Sequence, residues 1–427
     1  MKSMTRREAL RAGAVLGLAP MILPARALAL DGSAPSNKIT IGCIGVGGMG
    51  SGNLGSFLGL DDVRVVAVCD VNRGAAEGAR RRVNGHYQDE GCQAYGDFRE
   101  LLARPDIDAI SLATPDHWHG VIAVAAAQAG KDIYGEKPLA HTYREGRAVA
   151  NAVRRYGRVW QTGSWQRSTH NFARGCELVR NGRIGKVHTV EVGLPVDGTS
   201  TQNRTYDLQP VPEGLDYEMF VGPARWMPYH REYAHFNWRW NLNFGGGALL
   251  DWVGHHLDIA HWGMGWDTTG PTEIEGWGDY QKNGLFDAAH RFRATMTYAG
   301  SVKVIMAGND GIASGTKWIG DQGWVHVDRG QFSTSSPEIT NARIGPEEMP
   351  YPRSPGHHRN FIDCVRSRRP TLTPAETAHR SAGPGHLAQI AMLLGRKLKF
   401  DPVTETIAND PTAQSMLGRA LRAPWSV

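Results

Sequence analysis

The stretch Ile39–Ile44 (ITIGCI), followed at once by Gly45–Gly50 (GVGGMG), decides the fold. An apolar, β-rich run leads into glycines with the spacing G-x-G-x-x-G, and a helical pattern follows them. In this context the first glycine permits a tight turn, the second lets the backbone approach a pyrophosphate, and the third lets the helix pack closely on the strand. Phosphate oxygens then face the free N–H groups at the helix N-terminus. The stretch therefore predicts a strand, turn and helix that hold a dinucleotide.

A carboxylate, Asp70, lies 20 residues after Gly50, at the end of the next β-rich run, Arg64–Asp70. At this position an acidic side chain hydrogen-bonds the ribose hydroxyls of NAD. A 2′-phosphate would lie against the same carboxylate, so NAD is expected rather than NADP, although Arg73 nearby offers a cation that can accommodate a phosphate. A glycine-rich turn without a nucleotide is the alternative, and the strand, helix and acid together argue against it.

The chain from Lys38 to about Ser164 alternates short β-rich runs with alanine-rich helical segments, which is typical of a doubly wound parallel sheet with helices on both faces. Beyond this region the β-rich runs follow one another directly, which predicts a second domain on a mainly antiparallel sheet. We therefore expect a nucleotide-binding domain over residues 36–163 and a second domain over 164–427, with a polar tail from Asp401. The later β-rich runs are Asp108–Thr114, Asp132–Glu136, Val159–Gly163, Val187–Leu194, His290–Tyr298 and Ser301–Ala307.

The first 29 residues have the pattern of a twin-arginine export signal. A basic segment contains Thr5-Arg6-Arg7-Glu8, an apolar segment covers Ala12–Leu23, and Ala27-Leu28-Ala29 is an A-x-A cleavage site. The apolar segment is interrupted by proline and is shorter than the roughly 20 residues that a spanning helix needs. An ordinary N-terminal helix or an uncleaved anchor is the alternative. We expect residues 1–29 to be removed and the protein to be exported to the periplasm.

Export and composition restrict the cofactor and the partners. Free NAD(P)H is not expected outside the cytoplasm, so the nucleotide must be tightly bound and regenerated on the protein. The first 29 residues contain five of the 47 basic and one of the 42 acidic residues, so the remaining chain has 42 bases and 41 acids and no basic face suited to a nucleic acid. No later stretch is apolar enough to cross a membrane. Five scattered cysteines without a C-x-x-C pair exclude a disulfide framework, and no metal site is expected.

Three further motifs follow the glycine turn. They are Thr114-Pro115-x-x-x-His119, Gly135-Glu136-Lys137-Pro138 and Gly245-Gly-Gly-Ala-Leu-Leu-Asp251-x-x-x-His255. Together and in this order they resemble the motifs of the Gfo/Idh/MocA oxidoreductases, the family of glucose-fructose oxidoreductase and inositol dehydrogenase, and the likeness covers nearly the whole chain after the signal. The resemblance implies a Rossmann domain followed by an α/β domain with a large, mainly antiparallel open sheet. It also implies a homodimer or homotetramer formed through that sheet.

The resemblance implies a role for each motif. Lys137 would contact the substrate hydroxyl and the cofactor, and Asp251 and His255 would complete a catalytic trio with it. Glu136 would bind the nicotinamide ribose, and the first motif would line the nicotinamide side of the cleft. The residues expected to bind the cofactor are Gly45, Gly47, Gly48, Met49, Gly50, Asp70, Arg73, Thr114, Pro115, His119, Glu136 and Lys137.

The chemistry of alcohol oxidation agrees with these roles. Hydride leaves carbon while the hydroxyl loses its proton, so a histidine with a pKa near neutrality is a suitable base, and His255 is the candidate. The Lys137 ammonium would stabilise the developing alkoxide, and Asp251, one helical turn before His255, can reach its imidazole. The alternatives are a surface lysine, a helix cap and a core histidine. The family commonly has a glycine two residues after the aspartate, whereas this chain has Val253 and then Gly254.

The tryptophan content indicates the substrate class. Thirteen tryptophans are many for this length, and several lie near the expected cleft. Aromatic faces beside polar side chains suit a sugar, glycoside or cyclitol, whose rings offer apolar C–H faces and many hydroxyls, although at least half of the tryptophans are expected in the core or an interface. The residues assigned to the substrate are Trp165, Arg167, Trp238, Arg239 and His256.

Three functions are compatible with the sequence. The first is a nicotinamide-dependent oxidoreductase that acts on a secondary hydroxyl of a carbohydrate with a tightly bound cofactor. The second is an NAD-dependent glycoside-cleaving enzyme that works by transient C3 oxidation and elimination. The third is a non-catalytic sugar-binding protein with a structural nucleotide, and the complete set of Lys137, Asp251 and His255 argues against it.

Overall fold

The computed structural model describes residues 37–198, 207, 209–281, 284–351 and 353–427. The predicted export signal, residues 1–29, lies outside the described residues. Two sheets organise the described chain, one of six parallel strands and one of nine mainly antiparallel strands. The α/β class and the two kinds of sheet predicted from the sequence are confirmed.

The first sheet consists of β1 (Ile39–Ile44), β2 (Val63–Cys69), β3 (Gln93–Tyr95), β4 (Ala109–Leu112), β5 (Asp132–Gly135) and β6 (Trp160–Thr162). Its strand order is β3-β2-β1-β4-β5-β6, and every neighbouring pair runs parallel. In this order the winding of the chain reverses between β1 and β4, and ligands bind beyond the carboxyl ends of the strands at that point. The residue bounds of β1 are those predicted from the sequence.

Helices cover both faces of this sheet. They are α1 (Gly48–Leu58), α2 (Arg73–Tyr87), α3 (Phe98–Leu102), α4 (Asp116–Gln128) and α5 (Tyr143–Arg155). The Asn72 side chain caps α2 by accepting a hydrogen bond from the Ala75 backbone, and Thr142 caps α5 in the same way. Helix α1 begins at the glycine turn with no acidic residue in its first turn and no side-chain cap, so its terminal N–H groups face outward toward the strand ends.

The second sheet consists of β7 (Val187–Leu194), β8 (Glu273–Tyr280), β9 (Ala289–Thr297), β10 (Lys303–Gly308), β11 (Gly315–Gly320), β12 (Gly323–Asp328), β13 (Gln331–Thr334), β14 (Leu398–Asp401) and β15 (Thr406–Ile407). The strand order is β13-β12-β11-β7-β10-β9-β8-β14-β15, and of these described pairs only β7 with β10 runs parallel. Buried Phe292, Ala294 and Met296 alternate along β9 with the more exposed Arg291 and Arg293, so one face of the sheet packs on a core.

The helices of the second half are α6 (His170–Arg180), α7 (Tyr217–Val221), α8 (Gly247–Trp252), α9 (Asp258–Met264), α10 (Pro337–Thr340), α11 (His357–Ser367), α12 (Ala375–Leu394) and α13 (Pro411–Ser415). Helix α11 packs against the first sheet, because Phe361 joins the apolar cluster that contains Phe57. An ion pair of 2.6 Å between Arg359 and Asp62 holds the same contact. The chain therefore returns to the nucleotide-binding half after completing most of the second sheet.

A π-helical turn, Val253–Leu257, joins α8 to α9. It brings Gly254 against Lys137, which follows β5, so closely that a Cβ atom on Gly254 would lie 2.7 Å from the Lys137 Cβ. A side chain at this position would displace Lys137. The contact with Lys137 therefore requires a glycine at position 254. This accounts for the glycine that the chain has one residue later than the family pattern, which places it at position 253.

Two details of the sequence prediction are wrong. The edge strand β3 is missing from it, because three residues without an apolar alternation give no clear pattern. The polar tail from Asp401 is instead β15 and α13, with Ile407, Ala413 and Leu417 buried. These apolar residues are separated by polar ones and form no long apolar run, so the sequence does not mark the packing.

Candidate active site

A cavity of about 790 Å³ lies between the two halves of the chain. Its wall combines the carboxyl ends of β1, β2, β4 and β5 with residues of α8, the π-helical turn and the turn between β12 and β13. The size is that of a cavity for a small molecule or a cofactor, and its position beside the reversal in strand order is where such folds bind ligands.

The glycine turn has the shape that a dinucleotide requires. Gly45 has φ +78°, and a Cβ there would lie 2.6 Å from the Ala113 carbonyl oxygen. A Cβ on Gly50 would lie 1.9 Å from the Gly45 carbonyl oxygen, so helix and turn are in direct backbone contact. A Cβ added to Gly47 or Gly48 would meet no other atom within 4 Å, so both face open space. Both glycines line the cavity, as does Met49. The backbone is therefore open to a pyrophosphate where the motif predicts it.

Asp70 lines the cavity beyond the glycine turn. Its carboxylate accepts hydrogen bonds from the backbone N–H groups of Val46 at 3.0 Å and Asn72 at 2.9 Å, while burial raises its pKa. Arg73, assigned to the cofactor from the sequence, does not reach the cavity wall. As the first residue of α2 it is exposed and pairs with Glu213 at 3.5 Å, so its assignment to the cofactor stays a prediction.

The motifs that begin at Thr114 and Gly135 meet on the cavity wall beside the glycine turn. Thr114, Pro115, His119, Glu136 and Lys137 all line it. The His119 ring nitrogens contact the carbonyl oxygens of Thr114 at 2.8 Å and Pro138 at 2.7 Å, which ties the two motifs together. The buried Thr114 hydroxyl has no hydrogen-bond partner among the described residues, so a polar group is available there for a bound cofactor.

Asp251 is the centre of an ion cluster that joins the two halves. Its Oδ1 accepts hydrogen bonds from Lys137 Nζ at 2.7 Å and from Arg239 Nε at 3.3 Å, and its carbonyl oxygen accepts a second bond from Lys137 Nζ at 2.8 Å. Burial raises the pKa of Asp251, but Lys137 and Arg239 outweigh that effect and hold the pKa below its usual value. Asp251 is therefore an anion that fixes the position of the lysine ammonium.

His255 also lines the cavity, but its surroundings differ from those expected. Its Nδ1 has no hydrogen-bond partner among the described residues, and the Asp251 Oδ1 instead accepts from Lys137 and Arg239. The structure therefore does not show the expected hydrogen bond between Asp251 and this imidazole. Burial, followed by the positive charges of Lys137 and Arg329, lowers the pKa of His255 well below its usual value of 6.5, so the imidazole is neutral.

Asp116 is a cavity residue to which the sequence motifs assign no role. It is the first residue of α4, lies inside the motif that begins at Thr114, and is only 4% exposed. Burial raises its pKa to about 8, although Arg239 and Lys137 act in the opposite direction. The cavity therefore contains a carboxyl group that is protonated at neutral pH. The only sequence signal for it is an acid inside a motif that lines the cleft.

Three of the five predicted substrate residues line the cavity, namely Trp165, Trp238 and Arg239. Arg167 does not, because it is 2% exposed and donates hydrogen bonds to Asp258 and Asp267 at 2.8 Å each. Its charge is balanced by the buried Asp258 and the partly exposed Asp267, which makes it a structural residue.

His256 does not line the cavity either. It is fully buried, its ring stacks on Trp252 with centroids 5.0 Å apart, and its Nδ1 lies 3.3 Å from the Gln166 amide nitrogen. Adjacent residues on a helical turn point in different directions, and here His255 faces the cavity while His256 faces the core. The structure therefore places Arg167 and His256, both assigned to the substrate from the sequence, away from the cavity wall.

Arg329 supplies a cation to the cavity wall from the turn between β12 and β13. Its guanidinium lies 4.8 Å from the ring centroid of Trp165 and 4.4 Å from that of Trp252. No sequence signal marks this residue, because it lies in an ordinary polar hairpin turn far from every motif.

The cavity defines a class of protein: a two-domain oxidoreductase in which a glycine turn for a dinucleotide faces a lysine, an aspartate and a histidine. A family model described as "Oxidoreductase family, NAD-binding Rossmann fold" matches residues 39–164, and one described as "Oxidoreductase family, C-terminal alpha/beta domain" matches residues 193–427. The chain belongs to the Gfo/Idh/MocA oxidoreductase family.

Curated relatives match part of the chain. Levoglucosan dehydrogenase of Pseudarthrobacter phenanthrenivorans is 31% identical over 170 residues, 40% of this chain and 36% of that protein. Myo-inositol 2-dehydrogenase of Thermotoga maritima is 25% identical over 225 residues, 53% of this chain and 54% of that protein. A glycosyl hydrolase family 109 protein of Saccharopolyspora erythraea is 35% identical over 159 residues, 33% of this chain and 35% of that protein. The matches thus span about a third to just over half of these relatives.

Two solved structures share the fold across nearly their whole length. The WlbA dehydrogenase from Bordetella pertussis, solved with NADH and UDP-GlcNAcA, has a TM-score of 0.63 at 18% identity and covers 85% of this chain and 99% of that one. Scyllo-inositol dehydrogenase from Lactobacillus casei, solved with NAD(H) and scyllo-inositol, has a TM-score of 0.60 at 16% identity, with coverage of 85% and 99%.

Metal ligands and membrane spans are both lacking in the described ranges. Within them, no three histidine, cysteine, aspartate or glutamate side chains are grouped as metal ligands would be. No helix among the same residues combines the length and the apolar character needed to cross a membrane. All five cysteines are buried free thiols.

The role of Arg167 can be tested through stability. Arg167→Met leaves Asp258 buried without its partner, so we expect the free energy of unfolding to fall by about 3–5 kcal/mol. The double variant R167M/D258N removes the unpaired charge and should recover part of the loss. Denaturant unfolding gives the comparison. Unchanged stability together with a raised KM for the substrate would instead support the substrate role.

The protonation of Asp116 can be tested by the pH dependence of stability. An unfolded aspartate has a pKa near 3.8 and the folded one a pKa of about 8, so wild-type stability falls as pH rises between these values. Asp116→Asn has no such loss. The stability of D116N relative to wild type should therefore increase from about pH 4 to about pH 8, at a slope of at most roughly 1.4 kcal/mol per pH, and then stay constant. A difference that is the same at every pH would contradict the assignment.

Proposed function

We propose that this protein is an NAD-dependent oxidoreductase acting on a secondary hydroxyl of a sugar, glycoside or cyclitol. The observation that carries the proposal is the ion pair of Lys137 with Asp251, which lies with His255 on the wall of the same cavity as the open glycine turn. A bound nicotinamide would supply the acceptor and donor of hydride. The residues of the chain would supply the proton transfer and the charge stabilisation.

Lys137 is suited to stabilise an alkoxide. Its ammonium is held in place by two hydrogen bonds to Asp251, and Arg239 shares the same carboxylate. An ammonium fixed in advance stabilises negative charge on oxygen without the free-energy cost of reorganisation during the reaction. Lys137 would therefore donate a hydrogen bond to the substrate oxygen.

His255 is suited to accept the hydroxyl proton. Its imidazole is neutral because burial and nearby positive charge lower its pKa, so a nitrogen lone pair is available at neutral pH. As the oxygen loses its proton to His255, the ammonium of Lys137 stabilises the remaining charge.

The aromatic wall suits a carbohydrate. Trp165 and Trp238 line the cavity, and the Arg239 guanidinium lies between Phe236 and Trp238, 4.2 and 4.3 Å from their ring centroids. Apolar faces can cover the C–H groups of a sugar ring while the charged groups bind its hydroxyls.

The nature and location of the cofactor are part of the proposal. The Asp70 carboxylate on the cavity wall favours NAD over NADP, since it would repel a 2′-phosphate. The twin-arginine pattern of the first 29 residues supports export to the periplasm with the nucleotide already bound. A captive nucleotide must return each hydride to a second substrate or to the same molecule. We further propose that the open second sheet forms a homodimer or homotetramer.

A second candidate function is glycoside cleavage by transient oxidation, elimination and re-reduction. Asp116 favours it, because this route requires an acid for the leaving oxygen and the cavity contains a carboxyl that is protonated at neutral pH. The similarity to a glycosyl hydrolase family 109 protein points in the same direction.

The test is to replace Lys137 and His255 one at a time. Lys137→Ala and His255→Ala should retain the bound nucleotide but lose turnover by about 10²-fold or more, because each removes a group that acts in the transition state. Lys399→Ala is the matched control, because Lys399 is exposed and lies outside the cavity wall. The near-ultraviolet absorbance of reduced nicotinamide is followed while sugars and aryl glycosides are added.

The outcomes separate the functions. Reduction of the bound nucleotide by a sugar supports the oxidoreductase, and release of the aryl group without net reduction supports the glycoside-cleaving enzyme. Wild-type rates in both alanine variants would contradict the assigned roles. A nucleotide that is retained but never reduced, with no cleavage of any glycoside, would contradict both enzymatic functions and favour sugar binding alone.

A further inference from the structure

We infer that the carbohydrate substrate carries a carboxylate and that Arg329 binds it. The inference rests on the proposed function and names the substrate class more closely: a uronic acid or its glycoside. It follows from the place of Arg329 in the cavity and from the absence of any counter-charge for it within the described ranges.

The guanidinium of Arg329 is held by two aromatic rings. It lies 4.8 Å from the Trp165 ring centroid and 4.4 Å from the Trp252 ring centroid, and all three residues line the cavity. Stacking of this kind fixes the plane of a guanidinium and leaves the N–H groups on its edge free for a planar oxyanion. The arrangement suits the two oxygens of a carboxylate.

The other cations of the cavity wall already have a carboxylate. Lys137 and Arg239 share Asp251, at 2.7 and 3.3 Å. Arg329 forms no ion pair and no side-chain hydrogen bond with any residue that the structure describes. Its neighbour Asp328 is directed elsewhere, toward the Arg329 backbone N–H at 2.7 Å and toward His256 Nε2 at 3.5 Å.

The charges at this end of the cavity favour an anion. Three cations, Lys137, Arg239 and Arg329, face the carboxyl groups of Asp251, Glu136 and Asp116. Burial holds the Asp116 pKa at about 8, so this carboxyl adds no negative charge at neutral pH. Even with the other two ionised, positive charge is in excess. Burial also lowers the pKa of Arg329 more than Asp328 and Asp251 raise it, so its charge is only partly compensated.

Arg329 and His255 lie against the same aromatic ring. The Arg329 guanidinium is 4.4 Å from the Trp252 ring centroid, and the His255 ring centroid is 5.5 Å from it. A sugar with its reacting hydroxyl at His255 would therefore have a ring substituent within reach of the guanidinium. A carboxyl group on the sugar ring would receive hydrogen bonds there without disturbing the reacting carbon.

The experiment compares matched acidic and neutral substrates, such as an aryl glucuronide and the corresponding aryl glucoside, or glucuronate and glucose. The protein is used with its bound nucleotide, and kcat/KM is measured for wild type, Arg329→Gln and Arg329→Lys. We expect wild type to prefer the acidic partner by about 10²-fold, R329Q to lose most of that preference through KM, and R329K to be intermediate, since lysine cannot form the paired hydrogen bonds. The loss of kcat/KM in R329Q should be at least about tenfold larger for the acidic substrate than for the neutral one.

Arg369→Gln is the matched control, since Arg369 is an exposed arginine that lies outside the cavity wall. Quenching of tryptophan fluorescence by glucuronate gives a binding readout without turnover, because Trp165 and Trp252 contact Arg329. Glucuronate should quench wild type and R369Q at concentrations at least about tenfold lower than R329Q.

Three results would overturn the inference. One is equal use of neutral and acidic sugars by wild type, and another is an equal loss on both substrates in R329Q, which would mean that Arg329 only supports the tryptophan wall. The third is a preference for a sulfated sugar over the uronate. In each of these three cases the protein still oxidises a carbohydrate, so the proposed function stands. By contrast, binding of glucuronate without reduction or cleavage of any sugar would count against the proposed function.

Discussion

The ion pair between Lys137 and Asp251 is the interaction on which the site depends. The lysine follows a strand of the nucleotide-binding sheet, and the aspartate lies on α8 of the second half, so their 2.7 Å contact fixes one half of the chain against the other at the cavity. The pair is mostly shielded, with side-chain exposures of 13% and 19%. Removing either side chain would leave a mostly buried charge with fewer partners, which is unfavourable.

Backbone geometry makes this contact possible. The π-helical turn after α8 brings Gly254 to the Lys137 side chain, where any larger residue would push the ammonium away from Asp251. π-Helical turns are frequent at functional sites, because they alter the direction of side chains within a helix. Here the turn directs His255 to the cavity and His256 to the core.

Carboxyl groups in the same cavity are kept in different states by their neighbours. Asp251 is ionised because a lysine and an arginine contact it directly, whereas Asp116 is buried without such contacts and has a pKa of about 8. Groups whose surroundings separate their pKa values in this way can serve as anion and acid at the same pH. The two arginines differ in a similar manner: Arg239 is paired with Asp251, and Arg329 is left with its charge toward the cavity.

Local sequence patterns predict the parts of the molecule that depend on local structure. The glycine turn, the bounds of β1 and the presence of Lys137, Asp251 and His255 on one cavity all agree with the prediction. Asp251 contacts Lys137 and not the predicted His255, because helical spacing alone cannot show that a lysine from a distant strand reaches the carboxylate. For the same reason the sequence places Arg167 at the substrate, where the structure buries it, and gives Arg329 no role. Only the packing shows which arginine meets acids and which faces open space.

A crystal structure of the protein with its nucleotide and a slowly reacting carbohydrate would show which atoms contact the reacting hydroxyl. We expect the pyrophosphate at Gly47 and Gly48 and the reacting hydroxyl within hydrogen-bond distance, roughly 2.6–3.2 Å, of both Lys137 Nζ and the His255 imidazole. A substrate hydroxyl that contacts neither side chain, or a nucleotide bound away from the glycine turn, would contradict it.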